Sequence, residues 1–326
     1  MAWSDDSALV LDLGGTFIRF GLYNPSTQPL IEHIRKFKVL DFPGIEEAMQ
    51  SYLSDLGFTP YKAGLSVAGP AEEDLIVLVN HPWQFSLQAL QARFGFDQLC
   101  ALNDFRAIAY AYPKLSEHDL EPWHEGASMP HTARLVLGPG TGLGLAVLHQ
   151  LPDDRWFSCP TEGGNIGFAP QTPLQHELLK WANRHLGARV FVEQFVSGPG
   201  LVNLANALSD VEGEPLEQPL LADQWVEQML QADPFALRLL DCFAELLGAY
   251  AGDMVLAHGA RGGVVLAGGL LPRLNEVFPR EMFLAAFQDK GRYQPYLEAV
   301  PVHLCQHPEP GLLGAGEYIW SKAGAA

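Results

Sequence analysis

The chain has 326 residues, 48% of them hydrophobic and 18% charged, with a formal net charge of −18. This describes a globular protein of about two domains with a large core, and excludes a disordered chain. The acidity argues against nucleic acid, whose phosphates need a basic face. No apolar run approaches the ~18 residues of a membrane span, and the opening MAWSDDS lacks the basic-then-apolar layout of a signal peptide.

In chain order, strands are expected at Ala8–Leu13, Phe17–Asn24 and Ile31–Val39, then a helix near Ile45–Ser54 and strands at Ala63–Ala68 and Leu75–Asn80. Ser86 reads as the N-cap of a helix reaching about Phe94. A short strand, Leu99–Leu102, ends at Asn103-Asp104, and the following FRAIAYAY is helical in pattern. Strands Arg134–Leu137 and Leu145–Gln150 come next, and strand-like Arg155–Cys159 runs into TEGGN. A helix is expected over Leu174–Leu186, and the pattern is mainly helical after Gly198-Pro199-Gly200. Asp233-Pro234, an N-cap followed by proline at the first helical position, opens a long helix through about Ala257. GGVVLAGG is a strand ending in two glycines, VPVHLCQ is the last strand, and GLLGAGEYIWSKA is a terminal helix.

The layout is mixed α/β, and it contains one internal repeat. LVLDLGGTFIRFGLY (Leu9–Tyr23) and LVLGPGTGLGLAVLH (Leu135–His149) align over their whole length as strand, Gly-rich turn with a threonine, strand. Two related domains are implied, each offering one Gly-rich turn to a shared cleft. Such a turn exposes backbone amides. Glycine, free to take φ > 0 and lacking a Cβ, lets a ligand reach the main chain. Thr16 and Thr141 add hydroxyl donors. One such turn alone reads as an ordinary hairpin; two matching copies point to phosphate nests.

Asp12 would repel a phosphate unless a cation intervened, and Mg²⁺ takes one or two carboxylates plus waters and phosphates. A hydrogen bond to its own turn is the alternative. Asp104 ends a strand ahead of a helix, where α/β ligands bind. It is placed to serve as a general base for a hydroxyl, or as a helix N-cap. Glu162 in TEGGN and Glu193 in VEQFVSGPG, with Asn103 and Asn165, offer the acceptors and donors that a polyol needs, though each alone also reads as a turn or cap residue. With only 20 Lys and Arg, a polyphosphate would rest on backbone N–H groups, helix N-termini and a metal ion. The scattered Cys100, Cys159, Cys242 and Cys305 form no C-x-x-C or Cys/His cluster. They suggest reduced thiols in a cytoplasmic protein, not a zinc site or a disulfide framework.

The chain resembles the bacterial glucokinase family, in the hexokinase-like branch of the actin/sugar-kinase/Hsp70 ATPase superfamily. The resemblance rests on DLGGT, NHPWQFS, LNDF, GPGTGLG, EGG, VSGPGLVNL, LAGGLLPR, QDKGR and PGLLGAG, in family order from Leu9 to about Gly316. It implies an α/β, two-domain actin-like ATPase (ribonuclease H-like) fold around a central cleft. The smaller α/β domain would comprise residues 1–113 and 307–326, and the larger α+β domain residues 114–306. It also implies ATP-dependent phosphorylation of glucose with Mg²⁺, in a cytoplasmic homodimer.

Carried over, Asp104 is the base that deprotonates the sugar 6-hydroxyl, and Asn103, Asp104, Glu162, Asn165 and Glu193 contact the sugar. Asp12 positions Mg²⁺ through water. Gly14, Gly15 and Thr16 form the first phosphate turn, Gly140, Thr141 and Gly142 the second, and Gly268 and Gly269 lie near the adenosine. Two positions depart from the family pattern: Asn165 replaces a histidine that touches the sugar, and Phe17 replaces an asparagine after DLGGT. The first keeps open another hexose or an amino sugar as substrate. The second keeps open a sugar-binding regulator without turnover, against which Asp12 and Asp104 argue. The zinc-binding cysteine cluster of the related ROK family is missing, which places the chain outside ROK.

Overall fold

Ala8, Leu9, Val10, Leu11 and Leu13 have almost no accessible surface. A run apolar on both faces requires a strand in the middle of a covered sheet, and the structure, a computed structural model, supplies one. It describes residues 7–71, 73–78 and 83–323. Asn80, His81 and Pro82 of NHPWQFS lie outside these, as does the end of the strand expected over Leu75–Asn80. The chain divides into two compact units: residues up to Ser116 together with those from His307 onward, and Glu117–Gln306.

The first unit holds β1 (Ala8–Leu13), β2 (Phe17–Tyr23), β3 (Ile31–Lys38), β4 (Lys62–Val67), β5 (Leu75–Val77), β6 (Gln84–Ser86) and β7 (Gln98–Asn103). Its main sheet has the order β3-β2-β1-β4-β7, and β5 and β6 form a separate hairpin. β1 pairs antiparallel with β2 and parallel with β4, and β4 pairs parallel with β7. The parallel strands therefore all end on one edge, at Leu13, Val67 and Asn103.

One sheet face, with Leu9, Leu11, Ile18 and Phe20, packs on Met49 and Tyr52 of the helix Ile45–Leu56. The other, with Val10 and Tyr23, packs on Leu312, Leu313 and Ala315 of the terminal helix Pro310–Ala323. That helix lies so close that a Cβ on Gly64 would come within 2.5 Å of the Ala315 carbonyl oxygen. The Tyr23 hydroxyl donates to Glu317. Ser86 caps the helix Leu87–Phe94, accepting from Ala89 N at 3.1 Å, as its hydroxyl chemistry predicts.

The second unit holds β8 (Leu120–His124), β9 (Arg134–Pro139), β10 (Leu143–Gln150), β11 (Trp156–Pro160), β12 (Gly263–Leu266) and β13 (Val302–Cys305), in the order β11-β10-β9-β12-β13-β8. β9 is antiparallel to β10 and parallel to β12, which is parallel to β13. The first five positions therefore repeat the first unit's topology, as the sequence repeat implied. β8 was not expected. It pairs antiparallel with β13, and its Glu121 accepts from Asn275, Arg280 and Gln306.

The long helix Pro234–His258 starts where Asp233-Pro234 places it: the Asp233 carboxylate accepts from Ala236 N at 2.9 Å. Such a cap stabilises a helix by about 1 kcal/mol. Leu239, Phe243 and Leu247 on this helix join Leu135, Leu137, Leu145 and Phe283 in the unit's core. Among the described residues no helix is long and apolar enough to cross a membrane.

Candidate active site

In the first unit the site grows from the edge where the parallel strands end. Asp12, next to last in β1, accepts from the Ser66 hydroxyl at 2.7 Å on one carboxylate oxygen, and its other oxygen lies 3.5 Å from the Arg19 guanidinium. Arg19, its register partner on β2, also reaches Glu309 at 3.1 Å. A quarter of the Asp12 side chain meets solvent. Crowding by protein raises its carboxyl above the usual range, against the pull of Ser66 and Arg19. Gly311 makes room for it, since a Cβ there would lie 2.8 Å from Asp12 Oδ1. Beyond β1 the chain turns back with Gly14 N donating to Phe17 O at 3.0 Å, leaving Gly15 and Thr16 exposed.

Asp104 follows β7 as the first residue of the helix Asp104–Ala111. It is not the cap. Asn103 is, its Oδ1 accepting from Phe105 N at 3.1 Å and Arg106 N at 3.3 Å while its Nδ2 donates to Gly69 O at 3.3 Å. Burial pushes the Asp104 carboxyl up to about 7, opposed by its bond from Phe105 N and reinforced by the negative charge of Asp12.

In the second unit the turn between β9 and β10 is closed by Gly140 N donating to Gly142 O at 2.7 Å. The Gly140 carbonyl in turn accepts from Gly198 N at 2.8 Å, which sets the first turn of the helix Gly198–Glu212 against it. Ser197 caps that helix through Gly200 N at 2.9 Å and donates to Glu193 O at 2.8 Å. Glu193 Oε2 accepts from Leu143 N at 2.7 Å. Its carboxylate sits between two glycines: a Cβ on Gly142 would lie 2.6 Å from Oε2, and one on Gly164 3.1 Å from it. Glu162 and Asn165 are exposed on either side of the buried Gly163 and Gly164, and Asn165 N donates to Glu162 O at 3.0 Å. Gly269 follows β12 with open space where a Cβ would point.

Of the two reasons expected for glycine in these turns, only the missing Cβ holds. None of Gly14, Gly15, Gly140 and Gly142 has a positive φ. Their value is room: open space at Gly15 and Gly140, and contact with Glu193 at Gly142. Among the glycines expected to line the site, Gly268 alone, with φ +91°, needs the left-handed region. Sequence reasoning missed Ser66, Arg19, Glu309 and Gly311 around Asp12. Gly311 stands in the quoted PGLLGAG, so only its role was unread.

A phosphate-bound Mg²⁺ fits this donor set. Asp12 is one carboxylate with accessible surface beside an exposed glycine turn, and the ion draws its other ligands from phosphates and water. Among the described residues no group of three or more His, Cys, Asp or Glu forms a closed metal cage.

Two units of ribonuclease H-like topology in one chain, each with a glycine turn between an antiparallel strand pair, define the actin-like ATPase fold. The glucokinase family model matches residues 9–322. The glucokinase of Yersinia enterocolitica (serotype O:8 / biotype 1B) is 38% identical over 319 residues, 97% of each chain. Among solved structures, a glucokinase from an Antarctic psychrotroph matches with a TM-score of 0.86 at 33% identity, covering 97% of this chain and 99% of that one. A ROK-family glucokinase from Streptomyces griseus, in complex with glucose and AMPPNP, shares the fold with a TM-score of 0.64 at 20% identity, covering 97% and 99%. The chain belongs to the glucokinase family.

Proposed function

We propose that the protein is a glucokinase that transfers the γ-phosphoryl group of ATP in line to the 6-hydroxyl of glucose, with Asp104 as general base. The observation that carries the chemistry is Asp104 itself. It is relieved of capping by Asn103, stands where the parallel strands end, and titrates near 7. A base poised near the working pH is what proton abstraction from a hydroxyl favours, worth ~10²–10⁴-fold in rate. Family membership supports the substrates, as does the AMPPNP and glucose complex of the Streptomyces griseus relative.

Each unit contributes distinct groups. In the first, the exposed Gly14–Thr16 turn receives phosphate oxygens on its amides, and Asp12, oriented by Ser66 and Arg19, would hold Mg²⁺ through water. When bound, that ion neutralises charge on the phosphates being separated, which matters in a chain of net charge −18. In the second unit, Gly140–Gly142 offers another set of amides, and Gly268 and Gly269 give the adenosine close access to the main chain. Glu162 and Glu193 accept from sugar hydroxyls, while Asn165 donates and accepts. In the first unit, Asn103 offers sugar hydroxyls what its cap leaves of its amide.

ADP release coupled to a colour reaction, measured over glucose, mannose, 2-deoxyglucose and N-acetylglucosamine, tests the reading. Turnover greatest with glucose is expected. Greater turnover with another sugar would overturn the substrate assignment, and none with any sugar would overturn the enzyme. The proposal carries with it a cytoplasmic setting, in keeping with four cysteines that form no disulfide, and a homodimer, supported by family resemblance and checked by light scattering.

A further inference from the structure

Behind the turn that carries Glu162 and Asn165 lies a hydroxyl that no described residue bonds. Tyr250 sits within the helix Pro234–His258 and is 4% exposed. Among the described residues none hydrogen-bonds its phenol oxygen. Phenylalanine would fill the same space without leaving a polar atom stranded, and stranded polar atoms in native interiors are rare. The hydroxyl therefore asks for a partner that arrives later.

Its neighbours indicate which partner. A Cβ on Gly163 would lie 2.7 Å from the Tyr250 oxygen, and one on Gly164 would lie 3.1 Å from Glu193 Oε2. These two consecutive glycines, in the single 3-10 turn Gly163–Asn165, bridge from the tyrosine to the carboxylate. Neither can carry a side chain, since its Cβ would also meet Leu145 Cδ2 at 2.5 Å or the Leu143 carbonyl oxygen at 2.4 Å. Glu193 has committed one oxygen to Leu143 N and retains acceptor capacity on the other. Burial raises the phenol well above its ordinary range, and the charge of Glu193 raises it further. Tyr250 is thus a fixed donor near enough to feel the charge of Glu193, an acceptor-only group.

We infer that Tyr250 is a positioning residue for sugar recognition, its hydroxyl donating to the Glu193 carboxylate when glucose draws the Glu162–Asn165 turn and Glu193 together. This rests on the reading of that turn as the sugar site. The bond exists in the sugar-bound form and not in the free one, so it adds to sugar affinity. One such bond, gained where a buried donor was unpaired, corresponds to roughly tenfold in affinity. It does nothing for the nucleotide.

The test is Tyr250→Phe, assayed for melting temperature with and without glucose, and for kcat and both KM values. The free variant should melt no lower than the parent, since it loses only an unpaired hydroxyl. Its KM for glucose should rise roughly tenfold, the melting shift produced by glucose should shrink, and kcat and the KM for ATP should hold within about twofold. In a Glu193→Ala background, which offers the phenol no side-chain acceptor, the same substitution should change the glucose KM less than about twofold. An unchanged glucose KM would overturn the proposal, as would a lower melting temperature for the free variant, which would mean the hydroxyl already has a partner. An equal effect in both backgrounds would overturn Glu193 as that partner. Failure of the glucokinase reading shows itself separately, as absence of turnover and of any glucose-induced melting shift in the parent protein.

Discussion

Asp12 and Asp104 share one edge of one sheet, Asp12 at the end of β1 and Asp104 just past β7, with Ser66 on the strand between them bonded to Asp12. The negative charge of the first raises the carboxyl of the second. A candidate metal carboxylate and a candidate base are thereby electrostatically linked through a fixed scaffold.

Activity should follow the ionisation of Asp104. A carboxyl titrating at about 7 must be deprotonated to accept a proton, so kcat/KM should rise through that pH and then level off. Asp104→Asn should remove the rise and lower kcat by ~10²–10⁴-fold, with glucose affinity by calorimetry nearly unchanged. A kcat within about tenfold of the parent would remove Asp104 from the role of base.

Stability should respond with the opposite sign. The folded carboxyl titrates above its ordinary value of 3.8, so across the interval from there to about 7 the folded state holds a proton that the unfolded chain has released. Its contribution to stability is present at low pH and is lost as pH rises through that window. Asp104→Asn cannot ionise. It should therefore melt above the parent at about pH 8, with the gap closing towards about pH 4. Equal gaps at both values in thermal scans would show that burial does not control this group.

Asp12→Ala should weaken the dependence on Mg²⁺ and lower kcat while leaving the affinity for glucose largely intact. Asp12 is the carboxylate beside the exposed Gly15 and Thr16, and such a charge near phosphates is tolerable mainly through a cation. Titrating the rate with Mg²⁺ at fixed ATP checks this. Superimposable curves for parent and variant would make Asp12 a purely structural partner of Ser66.

Gly142→Ala should act through Glu193. The new Cβ would lie 2.6 Å from Glu193 Oε2, the movable end of a side chain, so the fold should survive while the carboxylate is pushed off Leu143 N. The KM for glucose should rise, and melting should fall only by what about 1–3 kcal/mol of lost hydrogen bonding and packing implies. An unaltered glucose KM would separate Glu193 from sugar binding.

The parts of this protein that were legible in its sequence are those held by neighbours a few residues apart. Ser86 and Asp233 cap helices through amides three residues on, and the two glycine hairpins close on themselves. The likeness of the two units followed from the hairpin repeat, whereas the parallel strands beside each hairpin did not. Groups joined across long stretches of chain left no local sign. Glu193 grips Leu143 N, Ser66 reaches Asp12, and Gly311 yields space to that same aspartate. β8 escaped because LEPWH carries a proline, which weakens any strand signal. It exists as a strand because Glu121 gathers Asn275, Arg280 and Gln306, all distant in sequence. The cap at Asp104 stood only as the alternative to its role as base: from the letters Asn-Asp alone either side chain can cap, and only the fold assigns the task to Asn103.

The helix Pro310–Ala323 completes a unit that the ribosome began long before. The first sheet has its last strand once Asn103 is made, yet the face bearing Val10 and Tyr23 stays uncovered until the whole of Glu117–Gln306 has been synthesised and Leu312, Leu313 and Ala315 emerge. Through that interval the nascent chain carries a bare apolar sheet, the kind of surface that aggregates or engages chaperones. A message cut short anywhere before Leu312 should therefore produce no useful half. Its second unit, if present, can bury its own core, while its first is left as an open, sticky fragment and a natural target for proteolytic clearance.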